Sequence, residues 1–264
     1  MTIVADAGDR VNPAESEDML LGLRSVSKSY GHVQALIDVD FDLAAGEIVA
    51  LVGDNGAGKS TIVKILSGVI MPDKGTILVR GRETVFHHPH DAYATGTFTV
   101  FQDLALVEAL DVGRNVFLGR EPSRFGLVRR RQMDKEALNV FTTFGIKVPS
   151  MSRTVALLSG GQRQGVAIAR AVLRGAAAVI MDEPTAALGV RETAHVLDIM
   201  RQLRDQGRGV VVVSHNLDLV FGIADRIHVL RLGRTVGIRE TSKTTHAAIV
   251  HMIMGVEETN GAGT

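Results

Sequence analysis

The stretch Gly53-Asp54-Asn55-Gly56-Ala57-Gly58-Lys59-Ser60-Thr61 constrains the fold more than any other part of the chain. It follows an apolar run from Glu47 to Val52 and leads into a helical pattern from Lys59 to Gly68. This is the G-x-x-x-x-G-K-[ST] pattern in the strand–loop–helix setting that it requires. Glycines let successive backbone N–H groups turn inward around phosphate oxygens. The helix beginning at Lys59 adds its positive end. Lys59 supplies a point charge for the β- and γ-phosphates, and the Ser60 hydroxyl is a ligand for Mg²⁺. Set against a plain glycine-rich turn, the loop predicts a nucleoside triphosphate site on an α/β core.

The flanking pattern agrees. Apolar runs at Glu47 to Val52, Thr76 to Val79, Ala178 to Met181, Gly209 to Val213 and Arg226 to Leu230 alternate with helical stretches at Lys59 to Gly68, Arg191 to Gln206 and Asn216 to Ala224. Runs apolar on both faces and separated by helices predict a mainly parallel sheet covered on both sides. Asp38 to Leu43 instead alternates strictly, with Val39, Phe41 and Leu43 on one face, and predicts a half-buried strand in a small antiparallel layer. From about 103 to 175 the pattern is mostly helical, including Met133 to Phe144 and Gln162 to Leu173, and reads as a helical subdomain inserted in the core. Residues 1–18 read as a disordered acidic tail, 19–255 as the ATPase domain and 256–264 as a disordered polar tail.

Composition narrows the function. With 264 residues the chain is long enough to bury a real core. Basic and acidic side chains balance at 29 each, which argues against bulk attraction to nucleic acid or acidic lipid. The absence of cysteine excludes disulfides, thiolate metal sites and a cysteine nucleophile, and fits a reducing compartment. Neither a secretory signal nor an apolar run of about 18 residues is present, so a cytoplasmic chain is expected. Glycine is in excess at 28 residues, which directs attention to its clusters.

Two more clusters carry chemistry. Asp182-Glu183-Pro184 follows the buried run Ala178 to Met181, where ligands sit in open α/β sheets. Asp182 suits Mg²⁺, and Glu183 suits a general base that activates water. Leu158-Ser159-Gly160-Gly161-Gln162 opens a helix, with Ser159 as a candidate N-cap and the glycines permitting close backbone approach. That is a second anion-binding helix start.

The order of phosphate loop, Leu158 to Gln162 and Asp182-Glu183 resembles the ATP-binding subunits of ABC transporters, over about Leu20 to Gly255. The resemblance implies that Tyr30 stacks on adenine and that Gln102 senses Mg²⁺ and couples to a permease. It also implies that His215 contacts the γ-phosphate. It further implies a homodimer with two sandwiched ATP molecules, in which Ser159, Gly160, Gly161 and Gln162 of one copy complete the phosphate loop of the other. Asn115 to Pro122, Asp182 to Val190, Ser214 to Leu217 and Met252 to Gly255 resemble the monosaccharide-import branch, of ribose, xylose and fructose type. That branch implies a membrane permease and an external solute-binding protein as partners, with the chain on the cytoplasmic side of the inner membrane and no nucleic acid. The position usually held by a bridging aspartate is Gly189. The alternatives are an importer of another solute such as a nucleoside, a soluble ABC-type ATPase acting on ribosomes or DNA, and a small-molecule kinase. The last would leave Leu158 to Gln162 and His215 without a role.

Three features are set aside. His87-His88-Pro89-His90 lacks acidic partners at helical spacing. Arg129-Arg130-Arg131 reads as a solvated helix start, and Met252 and Met254 as packing residues.

Overall fold

The computed structural model describes residues 18–256. Nearly all of the two expected tails, 1–17 and 257–264, lies outside the described residues.

The chain begins with β1 (Met19–Tyr30), β2 (Val33–Ala44) and β3 (Ile48–Val52), then α1 (Lys59–Leu66), β4 (Lys74–Val79), β5 (Arg82–Thr84), α2 (Pro89–Ala94) and β6 (Thr97–Val100). The middle holds α3 (Val112–Phe117), a small hairpin of β7 (Ser123–Arg124) and β8 (Leu127–Val128), α4 (Arg130–Thr143) and α5 (Gly160–Leu173). The last part runs β9 (Ala178–Asp182), α6 (Val190–Asp205), β10 (Gly209–Val213), α7 (Leu217–Ile223), β11 (Arg226–Arg231), β12 (Arg234–Glu240) and α8 (His246–Met254).

These form a six-stranded sheet in the order β12-β11-β3-β10-β9-β6 and a four-stranded sheet in the order β2-β1-β4-β5. In the larger sheet only β12 runs antiparallel to its neighbour. All five residues of β3 and of β10 are buried, as expected for strands covered on both faces. Alternate residues serve two cores. Ile48, Ala50, Val210 and Val212 face the core shared with the later helices. Val49, Leu51, Val211 and Val213 face the core shared with α1 and the antiparallel sheet.

The antiparallel layer follows from the alternation in β2. Val39, Phe41 and Leu43 are fully buried, each contributing roughly 1.5–3 kcal/mol on area grounds. The run Thr76 to Val79, grouped above with the parallel strands, belongs instead to β4 of this layer, pairing antiparallel with β1 at Ile77↔Leu23. Its shortness and the apolar residues Ile77, Leu78 and Val79 imitate a core strand, but its outer partner is the three-residue edge strand β5.

Between β6 and β9 lie α3, α4, α5 and the hairpin. Buried Asn115 ties the approach to α3 together. Its Nδ2 donates to the carbonyls of Val107 (2.9 Å) and Asp111 (3.1 Å), and its Oδ1 accepts from the Val107 N–H at 2.8 Å. The expectation of a solvated Arg129–Arg131 fails at Arg130. Its guanidinium pairs with Asp111 at 2.8 Å and with Asp134 at 3.2 Å, joining α3 to α4. The expectation that the run His87 to His90 lacks an acidic partner at helical spacing fails at Asp91. Its carboxylate accepts from the backbone N–H groups of His87 and His88 at 2.8 and 3.0 Å, so it serves the start of α2, where His88 is the N-cap. Met252 packs on the core, whereas Met254 is 60% exposed and is not a packing residue.

Candidate nucleotide site

Parallel register sets the site. Leu51 pairs with Val213, Val213 with Asp182, and Met181 with Val100. The residues that follow each strand therefore emerge at one level: Gly53 after β3, Ser214-His215 after β10, Glu183 after β9 and Phe101-Gln102 after β6. Segments far apart in sequence meet at the carboxyl edge of the sheet, the usual ligand position in such folds.

The loop between β3 and α1 uses its glycines for different reasons. Gly53 has φ 149°, and a Cβ there would lie 2.2 Å from the carbonyl oxygen of Leu230. At Gly58, with φ 108°, a Cβ would meet Leu36 Cδ2 at 2.6 Å and the Ala35 oxygen at 2.7 Å, so β2 closes down on the loop. Gly56 has φ 81° and open space around it, so backbone conformation alone requires glycine. Lys59 Nζ donates to the carbonyls of Gly53 (2.7 Å) and Asp54 (2.9 Å). Burial pulls its pKa below the ordinary lysine value, against the opposing charges of Glu183, Asp54 and Asp182. Asp54, Asn55, Gly56 and Ser60 are exposed. Ala57 and Thr61 bury their side chains, and Ala57 donates its N–H to the Asp54 carbonyl at 3.1 Å.

Asp182 ends β9 half-buried, and desolvation followed by the Glu183 charge raises its pKa. Glu183 holds φ 47°, with its N–H donating to the Val213 carbonyl at 2.9 Å. That left-handed turn brings its Oε1 to 2.8 Å from Nδ1 of His215. A carboxylate only accepts, so the Nδ1–H donates and Nε2 remains to bond another group. The sequence placed both residues in the site but gave no sign of this bond.

Hard oxygen donors suit Mg²⁺. Among the described residues no cluster of three or more His, Cys, Asp or Glu could hold a metal alone. A binding mode with one carboxylate, a hydroxyl and substrate phosphates fits Asp182 and Ser60. A dication there would relieve the crowding of Asp182 by Glu183.

Gln102 is exposed just past β6. The loop after it is fixed by Arg170 of α5, whose guanidinium donates to the carbonyls of Leu104 (2.8 Å) and Ala105 (2.7 Å). Both residues have positive φ, 60° and 46°. Sequence reasoning missed Arg170, and its place three residues before Leu173 on α5 carried no distinguishing signal. Tyr30, at the end of β1, is 45% exposed.

Ser159 to Gln162 form a capping box. The Gln162 N–H donates to Ser159 Oγ at 3.3 Å, and the Ser159 N–H donates to Gln162 Oε1 at 3.0 Å. Within this chain the turn packs on Leu188 and Glu192. Among the described residues no hydrogen bond joins it to the loop Gly53 to Thr61.

The sequence matches the ABC transporter family over residues 36–186. The chain belongs to that family. It is an ATP hydrolase whose fold is that of ABC transporter cassettes. Several solved cassettes superpose on it. One is a dimeric bacterial ABC transporter cassette, MJ0796, at TM-score 0.72 and 25% identity, covering 84% of this chain and 99% of that one. The same cassette bound to ADP and Pi superposes at TM-score 0.73 and 26% identity, covering 84% of this chain and 99% of that one. Among curated relatives, the fructose import ATP-binding protein FrcA of Rhizobium meliloti is 43% identical over 92% of this chain and 96% of its own length. The xylose/arabinose import ATP-binding protein XylG of Sulfolobus acidocaldarius is 42% identical over 89% and 93%. A ribose import ATP-binding protein, RbsA of Chromobacterium violaceum, is 44% identical over 90% of this chain but only 48% of its own length.

Proposed function

We propose that this ABC ATPase powers import of a monosaccharide through a separate membrane permease, with two copies closing over two ATP molecules. Similarity to FrcA and XylG along nearly their whole lengths supports a sugar as the solute. The observation that carries the reading is the alignment of Gly53, Asp182-Glu183, Gln102 and His215 along one sheet edge.

Each residue then has a task. Tyr30 stacks on adenine, and the backbone from Gly53 to Thr61 cradles the phosphates. Lys59 turns from the loop carbonyls toward the β- and γ-phosphates. Ser60, Asp182 and Gln102 hold Mg²⁺, which when bound neutralises charge building on those phosphates. Glu183 orients the attacking water and takes its proton. His215 steadies Glu183 through Nδ1 and meets the γ-phosphate through Nε2. Ser159, Gly160, Gly161 and Gln162 of the second copy complete the site: the capping box between Ser159 and Gln162 takes up their own N–H groups and fixes the turn, leaving the N–H groups of Gly160 and Gly161 for an anion. The helical segment from about 103 to 175 carries the resulting motion to a permease, which places the chain against the cytoplasmic face of the membrane. An external solute-binding protein completes the system, and nucleic acid has no part in it.

The test is uptake of labelled fructose, xylose, arabinose and ribose by cells lacking this gene. Loss of uptake of at least one sugar, restored by the wild-type chain and not by Glu183→Gln, is expected. Unchanged uptake of every sugar overturns the assignment.

A further inference from the structure

The loop after Glu183 ends at a glycine, and the space beside that glycine is already filled. A Cβ on Gly189 would lie 2.7 Å from Glu192 Oε2. The same side chain runs past the start of α5, where a Cβ on Gly161 would sit 2.6 Å from Glu192 Cγ and 2.9 Å from its Cβ. One residue earlier, a Cβ on Gly160 would come within 3.0 Å of Leu188 Cδ2.

Backbone conformation does not explain these glycines. Gly189 has φ −72°, and neither Gly160 nor Gly161 has positive φ. Any residue could adopt these angles. At Gly161 the atoms in the way are the Cβ and Cγ of Glu192, close to its backbone, so room for that side chain requires glycine there, whereas at Gly189 the movable tip of the same side chain fills the space. Glu192 is half-buried in the first turn of α6, with its stem against one glycine and its carboxylate against the other. The loop between Glu183 and Gly189 is tightly turned: Glu183 and Ala187 have φ 47° and 70°, and the N–H groups of Ala186 and Leu188 donate to the carbonyls of Glu183 (3.2 Å) and Thr185 (3.1 Å).

We propose that Glu192 is a positioning residue that latches the Ser159–Gln162 turn to the loop carrying Glu183. A side chain wedged between two backbones transmits displacement from one to the other, because close-packed groups do not deform continuously. A phosphate arriving at the turn from a second copy then moves the loop of the base. The inference rests on the dimeric reading above, and it concerns the link between two sites rather than either site alone.

The experiment uses the purified full chain with Glu192→Ala, Glu192→Gln, Gly189→Asp and the double variant Gly189→Asp/Glu192→Ala. ATP affinity, kcat and the Hill coefficient are measured for each. For Glu192→Ala we expect an ATP Kd within twofold of wild type, a kcat at least fivefold lower and a Hill coefficient near 1. Glu192→Gln, which keeps the shape, retains at least half of kcat. Gly189→Asp evicts the Glu192 carboxylate and reproduces the alanine defect, and the double variant is no worse than either single change. Wild-type kcat and Hill coefficient in Glu192→Ala overturn the latch, as do fully additive effects in the double variant. A Glu183→Gln chain that stays monomeric with ATP overturns the dimeric reading and the latch with it. A Glu183→Gln dimer beside an unaffected Glu192→Ala overturns the latch alone.

Discussion

Nδ1 of His215 lies 2.8 Å from Oε1 of Glu183, across 32 residues of sequence. The bond links the residue after β10 to the residue after β9, two strands already in register at Val213↔Asp182. It fixes the orientation of a carboxylate that sits in a left-handed turn. Glu183→Gln is therefore expected to bind ATP normally, to lose turnover by about 10²–10⁴-fold, and to accumulate as an ATP-bound dimer. His215→Ala frees the carboxylate, and kcat is expected to fall at least about tenfold with little change in affinity. Single-turnover hydrolysis beside equilibrium nucleotide binding measures both. Near-normal turnover in Glu183→Gln refutes its assignment as the base.

Gly53 and Gly56 are both left-handed glycines of one loop, yet their replacements should fail differently. At Gly53 a methyl group meets the Leu230 carbonyl at 2.2 Å. Gly53→Ala adds a clash to backbone strain and should cost about 3 kcal/mol or more. At Gly56 nothing lies within 4 Å, so only strain of about 1–2 kcal/mol applies. The Gly56 methyl instead takes up open space beside the loop, which in the proposed cradle is space that phosphate needs. Thermal melts should show a much larger fall in Tm for Gly53→Ala. Nucleotide binding should weaken in Gly56→Ala while most stability remains.

How much of this was legible in the sequence depends on the range of the interaction. The phosphate loop and the N-cap at Ser159 are local, and their residues name their own geometry. The parallel strands were legible because burial on both faces leaves continuous apolar runs. Thr76 to Val79 misled for the same reason, since a short apolar run does not say whether its partner is parallel or an exposed edge. Arg130 and Arg170 were out of reach. Each is one arginine among many until the fold brings Asp111 to the first and the carbonyls of Leu104 and Ala105 to the second. Glu192 was equally silent, because its meaning lies in the absence of side chains at Gly161 and Gly189.

Arg170 provides a third test. Its planar guanidinium spans two adjacent carbonyls in a loop whose residues have positive φ. Lysine keeps the charge but offers no fork, so it cannot hold both acceptors in that geometry. Arg170→Lys should loosen residues 102–106. Amide hydrogen exchange is expected to rise there at least about tenfold, corresponding to about 1.4 kcal/mol of lost local stability. Exchange in β3 and β10 should stay unchanged. Equal acceleration everywhere would mean that Arg170 supports the whole fold rather than this loop.

His228 sets a pH limit on stability. It is 1% exposed on β11, its Nε2 lies 2.8 Å from Thr235 Oγ1, and its ring lies 5.5 Å from that of Phe41. Burial pushes its pKa from 6.5 down to about 4, the Asp42 charge opposing and the Arg226 charge assisting. Between those values the unfolded chain takes up a proton that the folded chain refuses. Stability must then rise with pH across this window. The contribution is complete above about pH 6.5, is lost as pH falls toward about 4, and totals about 3 kcal/mol. His228→Gln removes the titration and leaves an amide able to reach Thr235. Urea unfolding from pH 7 to pH 4.5 should show wild-type stability falling more steeply than that of the variant, whatever the offset between them at pH 7. Parallel curves would show that His228 accepts its proton without leaving the core.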